Sequence, residues 1–282
     1  MLIISIDPVA FAIGTLQVRW YGILVAIAVI TLLAITFREM RQHAIPESTI
    51  YNLFFWGLIG GIIGGKLVYL IQPWFLHGIT PTEIISPYGW ALHGSILGAI
   101  LAALIYWRTG AREISFQNFP GIGDAVAVGA PLAQAIGRIG CTINGCCHGK
   151  PSPFLSFPGA VSYTPRDTIA PQYWNMPLYP TQIYFVLWNL IVFAVVWPLR
   201  GRLKPQGSLF LLYLSLYCAG DFGLRFLRID PPLLLGLQEG QIISLAILVV
   251  VLPVLIIKIR RFRQRAIVEP ADNTTQQQNQ EG

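Results

Sequence analysis

The segment 137–150, GRIGCTINGCCHGK, gathers an arginine, an asparagine, three cysteines and a histidine within an otherwise apolar chain. Three chemistries are open to its cysteines. Cys141 can close a disulfide with Cys146 or Cys147. With His148, the three can ligate a metal, although the spacing lacks the C-x-x-C pair that usually announces such a site. One of them can serve as a thiol nucleophile, its pKa lowered by Arg138 or His148. Cys218 lies far from this segment, in an apolar run, and reads as a small packing residue.

The surrounding chain decides the solvent. Of 282 residues, 54% are apolar and only 11% charged, with a mean hydropathy of +0.60. That balance excludes a water-soluble globule and predicts an all-α integral membrane protein. Seven apolar stretches are long enough to span a bilayer: 21–37, 50–71, 91–107, 121–137, 180–199, 207–226 and 240–257. The fourth is Gly-rich and contains Asp124 and Pro131, features a span tolerates only when packed inside a bundle. Basic residues set the orientation. Arg38, Arg41, Arg108, Arg112, Arg200, Arg202, Lys204, Lys258, Arg260, Arg261, Arg263 and Arg265 fall on one side, against Arg19, Lys150, Arg166 and Arg228 on the other. The N-terminus is therefore expected outside and the C-terminus in the cytoplasm. The net charge of +6 reads as topology signal and lipid attraction, so no nucleic-acid partner is implied.

Residues 1–265 are expected to form a single polytopic domain, with 141–179 as an outer loop or cap. The Gln- and Asn-rich stretch 266–282 reads as a disordered cytoplasmic tail. Residues 1–19 lack the pattern of a signal peptide, and the chain shows no internal repeat.

This topology brings the polar residues to one depth. Tyr21, His93, Gln182, Tyr184 and Gln241 open spans that descend from the outside, while Arg138 and Arg225 close spans that ascend to it. Charge inside the hydrocarbon is costly, so such a cluster marks a functional site in the outer half. Simpler roles exist for each. Arg138 or Arg225 can snorkel to the interface or pair with Asp221. His93 can bond a backbone carbonyl, although Gly94 thins the helix beside it and leaves room for a ligand. The glycines around Lys66 read first as close helix packing.

Five segments, in order, resemble the prolipoprotein diacylglyceryl transferase family: DPVAFAIGTLQVRWYGIL, ALHGSILG, GRIGCTINGCCHGK, YPTQIY and EGQIIS. The resemblance covers nearly the whole chain. It implies transfer of the diacylglyceryl group of phosphatidylglycerol to the cysteine thiol of a prolipoprotein signal peptide, in the bacterial inner membrane, with no metal or organic cofactor. On that reading Arg138 grips the phosphate through its donor fork, with Arg225 as the second candidate. His93 takes the thiol proton, and Tyr21 completes the catalytic set. Asn144, Gln182 and Tyr184 orient the headgroup, with Gly145 and Gly149 allowing tight turns around it.

The chain also departs from the family pattern. Cys141 stands where Asn is usual, Cys146 and Phe185 where Glu is usual, and the Arg-to-Glu pair of the sixth helix becomes Asp221 and Arg225. Four residues apart on one helical face, the exchanged pair can still form an ion pair. The departures leave a second functional class open: a divergent paralogue that binds lipid, or does thiol chemistry at Cys141, Cys146 and Cys147, without the transferase activity.

Overall fold

The computed structural model describes residues 2–14, 16–41, 46–77, 80, 84, 92–110 and 119–280. Seven helices carry the chain among these residues: α1 (Trp20–Met40), α2 (Glu47–His77), α3 (Leu92–Thr109), α4 (Phe119–Asn144), α5 (Thr181–Leu199), α6 (Ser208–Leu224) and α7 (Glu239–Gln280). The seven predicted spans coincide with them in order. Six are long and apolar enough to cross a membrane, and α3 presents a shorter apolar stretch, Gly94–Thr109. The backbone of α7 continues helical beyond its membrane-length stretch to Gln280.

The chain divides into two compact units. Unit 2, Phe37–Phe119, is built on α2 and α3. Gly60 and Gly64 on α2 face Gly94 and Gly98 on α3 so closely that a Cβ at Gly98 would run into the Gly60 carbonyl. Small residues at this spacing let two backbones touch, the main source of helix association where lipid removes the hydrophobic drive. The space beside Gly94, expected to admit a ligand, is filled instead by the Gly64 carbonyl and Val68.

Unit 1 comprises Met1–Thr36 and Pro120–Gly282. Here α4 runs through the interior. Half of its membrane-length window is buried, against 33% or less in the other spans. That is where a sequence of Ala125, Ala127, Ala130, Pro131, Ala133 and Ala135 belongs, since small side chains allow close approach. Val128 packs with Val192 and Val196 of α5 and Leu209 and Tyr213 of α6. Asp124 is satisfied within this packing: its carboxylate accepts hydrogen bonds from the backbone N–H of Gly207 (2.6 Å) and Phe210 (2.8 Å). It therefore caps the start of α6 from a different helix, supplying the acceptor that the first turn lacks.

At one end of unit 1 sits a small cap. Strand β1 (Leu2–Ile4) pairs in parallel with β4 (Val161–Tyr163). The hairpin β2 (Val9–Ile13) and β3 (Leu16–Arg19) leads into α1, and a second hairpin, β5 (Pro232–Leu234) and β6 (Leu237–Gln238), joins α6 to α7. The segment between α4 and α5 folds around its own apolar core, with Val161, Tyr163, Ile169 and Leu178 buried against Ile4. The ends of α4 and α6 and the starts of α1, α5 and α7 therefore meet under the cap, and that is where the signature segment lies.

Candidate active site

The site begins where α4 stops. Gly145 takes φ 82°, a left-handed conformation open to glycine, and its N–H closes the last turn on the Cys141 carbonyl at 2.9 Å. Cys147 follows at φ 62°, a conformation that disfavours a side chain. The two turns fold Cys146 and Cys147 back over the helix end, so that the sulfurs of Cys141, Cys146 and Cys147 lie within 4.8 Å of one another. All are free thiols. His148 stands apart from them: its Nδ1 is 3.0 Å from the Gly149 carbonyl and its ring packs on Tyr173.

This turn is pinned from several sides. The Cys146 carbonyl accepts from Gln182 Nε2 (2.8 Å) and the Cys147 carbonyl from Thr181 Oγ1 (2.9 Å). Thr168 Oγ1 donates to the Asn144 carbonyl. Arg166 is buried and spans the carbonyls of Ile143 (2.9 Å), Thr164 (3.1 Å) and Ile4 (2.5 Å), tying α4, the cap and the N-terminal strand together. Gly149 is in contact with the backbone of Tyr179 and Leu227, and a side chain there would separate α5 from α6. The thiols of Cys141 and Cys146, followed by Arg228 and Arg138, hold the Cys147 thiol well below the usual cysteine range against the opposing effect of burial. Cys146 is pushed up: its bond with Cys141 favours the thiolate, but its bond with Cys147 and burial outweigh that.

Arg138 is three residues before Cys141, hence on the same face of α4. Its guanidinium stacks on Phe185, 4.4 Å from the ring centroid, and lies within electrostatic reach of Cys141, Cys147, Tyr217 and Asp221. It makes no hydrogen bond or ion pair among the described residues. Tyr21 approaches from α1 across Gly140, where an added Cβ would stand 3.4 Å from the Tyr21 ring, and lies within electrostatic reach of the three cysteines and Arg138. Buried oxygens of Asn144 and Gln182 are left without partners beside them. A cation with unused donors is suited to an anionic group, and the neighbouring unpaired oxygens, which only accept, are suited to hydroxyl donors.

Arg225 is engaged differently. Its Nε donates to Asp221 Oδ2 at 2.6 Å, which also accepts from Ser244 Oγ at 2.7 Å, and its Nη1 reaches Asp230 at 3.3 Å. Arg228 joins through Asp230. The exchanged pair therefore forms the expected i,i+4 bridge, and it is Arg225, not Arg138, that Asp221 takes as hydrogen-bonded partner. The guanidinium lies across Gly240, where any side chain would collide with it.

The structure thus brings Tyr21, Arg138, the three cysteines, Asn144, Gln182 and Asp221 together. Tyr184 is turned outward, its hydroxyl donating to the Pro158 carbonyl at 2.6 Å. The His93 side chain lies outside the described residues. Arg166, Thr181, Tyr217 and Ser244 were not picked out from the sequence. Tyr217 was within reach of such reasoning, since it precedes Asp221 by four residues on one helical face. Arg166 was not, because beyond the nearby Thr164 its partners are backbone carbonyls of two distant segments.

A family model described as prolipoprotein diacylglyceryl transferase matches residues 8–257. A relative named phosphatidylglycerol–prolipoprotein diacylglyceryl transferase, from Dehalococcoides mccartyi, is 35% identical over 275 residues, covering 97% of this chain and 100% of the relative. Proteins of the same name from Clostridium tetani and Listeria innocua are each 31% identical, over 92% and 86% of this chain and 99% and 87% of their own lengths. With both kinds of match extending over most of its length and a multi-pass helical fold to carry them, the chain belongs to the prolipoprotein diacylglyceryl transferase family.

Proposed function

We propose that the protein transfers the diacylglyceryl group of phosphatidylglycerol to the cysteine thiol of a prolipoprotein signal peptide. The observation that carries this reading is Arg138, a cation with unused donors beside the end of α4. In the reaction the thiol sulfur forms a bond to the glyceryl CH2 as the C–O bond to phosphate breaks. Glycerol phosphate leaves with the electron pair, and the thiol proton is released. The phosphate passes from one negative charge to two as it departs, so a fixed guanidinium binds the transition state more strongly than the ground state. Arg138 is held for this by stacking on Phe185 instead of by a carboxylate that would neutralise it. Tyr21, Asn144 and Gln182 supply polar contacts for the headgroup. Asp221, secured by Arg225 and Ser244, is kept from closing on Arg138. The proton acceptor expected from the sequence is His93, an assignment that rests on the resemblance alone.

The placement is the bacterial inner membrane, as the family resemblance implies, and the bias of basic residues supports an orientation with the cap end outside the cytoplasm. Signal peptides cross to that side and phosphatidylglycerol is available there. The test is complementation: expression in a bacterium depleted of its own transferase should restore growth and lipoprotein modification, and Arg138→Ala should not. Correct insertion without restoration would refute the reading.

A further inference from the structure

Three free thiols stand at the end of α4, and phosphate binding by Arg138 uses none of them. Their sulfurs lie within 4.8 Å of one another. A disulfide bond is about 2.05 Å long, so a pair closes by moving together at most about 2.8 Å, a gap that rotation about two Cα–Cβ bonds can span. The pairings are not equivalent. Cys146 and Cys147 are adjacent and joined by a trans peptide, which sets their Cα atoms about 3.8 Å apart, short of the about 4.4–6.8 Å usual across a disulfide. The favoured bond therefore joins Cys141, in the last turn of α4, to Cys146 or Cys147 in the turn beyond it. Access follows the same order: Cys141 is buried while Cys146 and Cys147 are half-buried, so an external reagent meets the turn first. Arg138 and Arg228 lie within electrostatic reach of Cys147, and a nearby cation favours the thiolate that begins exchange.

We infer that the three thiols form a reversible redox switch, in which an oxidising disulfide links Cys141 to the 146–147 turn and slows transfer, and a reducing dithiol restores it. Its effect on transfer rests on the transferase reading. With the cap end outside the cytoplasm, the cluster faces the compartment in which disulfides form. A thiolate of the turn attacks one sulfur of the oxidant, and the other sulfur leaves as a thiolate. The Cys141 thiol gives up its proton to water and attacks the turn sulfur of the mixed disulfide, expelling the second oxidant thiolate. Two electrons pass from the cysteines to the oxidant, whose thiolates take up two protons. Exchange with a dithiol runs the same steps backwards. The place of the link accounts for its effect. Asn144 and Gly145 lie between Cys141 and the turn, and the turn is tied to α5 by the bonds from Gln182 Nε2 to the Cys146 carbonyl (2.8 Å) and from Thr181 Oγ1 to the Cys147 carbonyl (2.9 Å). Drawing the turn toward the helix end displaces Asn144 and Gln182, which contact the headgroup on this reading. A misplacement of about 1 Å costs on the order of 100-fold in rate.

The test uses the full-length protein, purified under reducing conditions and then equilibrated with excess glutathione disulfide or with dithiothreitol. All four cysteines should be alkylated in the reduced protein and two in the oxidised one, with peptide mapping joining Cys141 to Cys146 or Cys147. Transfer to a lipobox peptide should fall on the order of 100-fold on oxidation and return with dithiothreitol. Phosphatidylglycerol should raise the unfolding midpoint of the reduced protein and leave that of the oxidised protein unchanged. Cys218→Ser should respond as wild type does, and Cys141→Ser should lose the response. Four free thiols after oxidation, a Cys146 to Cys147 disulfide, glutathione retained on the turn without a link to Cys141, or full transfer by the linked protein would overturn the inference and leave the transferase reading standing. Protein that transfers nothing when reduced, yet loses its response to phosphatidylglycerol on oxidation, would keep the switch and refute that reading. Absence of both responses would refute the two together. The wild-type measurements decide the matter even if Cys141→Ser fails to fold.

Discussion

Removing Arg225 tests how the polar end of α6 is held together. Arg225→Ala leaves the Asp221 carboxylate, whose side chain is 3% exposed, with Ser244 as its only hydrogen-bonded partner among the described residues. Breaking a buried ion pair costs about 3–5 kcal/mol because the surviving charge stays desolvated. Arg225 is itself 16% exposed, so the lower end applies, about 3 kcal/mol. At about 2–4 °C per kcal/mol for a chain of this size, the midpoint of thermal unfolding in detergent should fall by about 6–12 °C. Asp221→Asn/Arg225→Gln should recover much of the loss, since neither side chain then carries an unpaired charge. The variant should also raise KM for phosphatidylglycerol more than it lowers kcat, because the released Asp221 competes with phosphate for Arg138. An Arg225→Ala midpoint within about 2 °C of wild type, or strictly additive effects in the double variant, would refute the reasoning.

Other consequences are as direct. Arg138→Lys keeps the charge but loses the planar donor fork, and transfer should fall on the order of 100-fold in a radiolabelled-lipid assay, with little change in thermal stability. Asp124→Ala removes the acceptor for two N–H groups at the start of α6 and should cost about 1–2 kcal/mol, with Asp124→Asn less harmful, measured by unfolding midpoint. Gly98→Leu should prevent α2 and α3 from packing, seen as loss of folded protein on size-exclusion chromatography, because the added atoms meet the Gly60 backbone. The Arg19 guanidinium holds the Asp167 carboxyl below the usual range. A depressed carboxylate stabilises above its unfolded pKa and ceases to do so as pH falls through the folded value. The stability gap between wild type and Asp167→Asn should therefore be constant well above the unfolded value of about 3.9 and shrink as pH falls below it, through the lower folded value.

Much of this was legible in the sequence because a bilayer simplifies the problem. Seven apolar runs become seven helices, and the oddities of the fourth, Asp124 and Pro131, mark it as the interior one. Convergence of Tyr21, Arg138 and Gln182 follows from span direction alone. Residue spacing also anticipated the Asp221 to Arg225 bridge. What was not legible depends on tertiary closure. Periodicity cannot show that Arg166 clamps three backbone segments, or that Gly94 is filled by α2 rather than open to a ligand. Nor does the spacing of Cys141, Cys146 and Cys147 disclose one cluster, since it takes two left-handed residues, at 145 and 147, to bring their sulfurs together.

The most direct measurement is the fate of the acceptor sulfur. Purified protein in vesicles containing phosphatidylglycerol should convert a lipobox peptide to a diacylglyceryl thioether by mass spectrometry, releasing one glycerol phosphate per peptide and none without it. Arg138→Ala should yield neither product. Glycerol phosphate release that ignores the peptide, or a peptide whose mass stays unchanged under these conditions, would contradict the account.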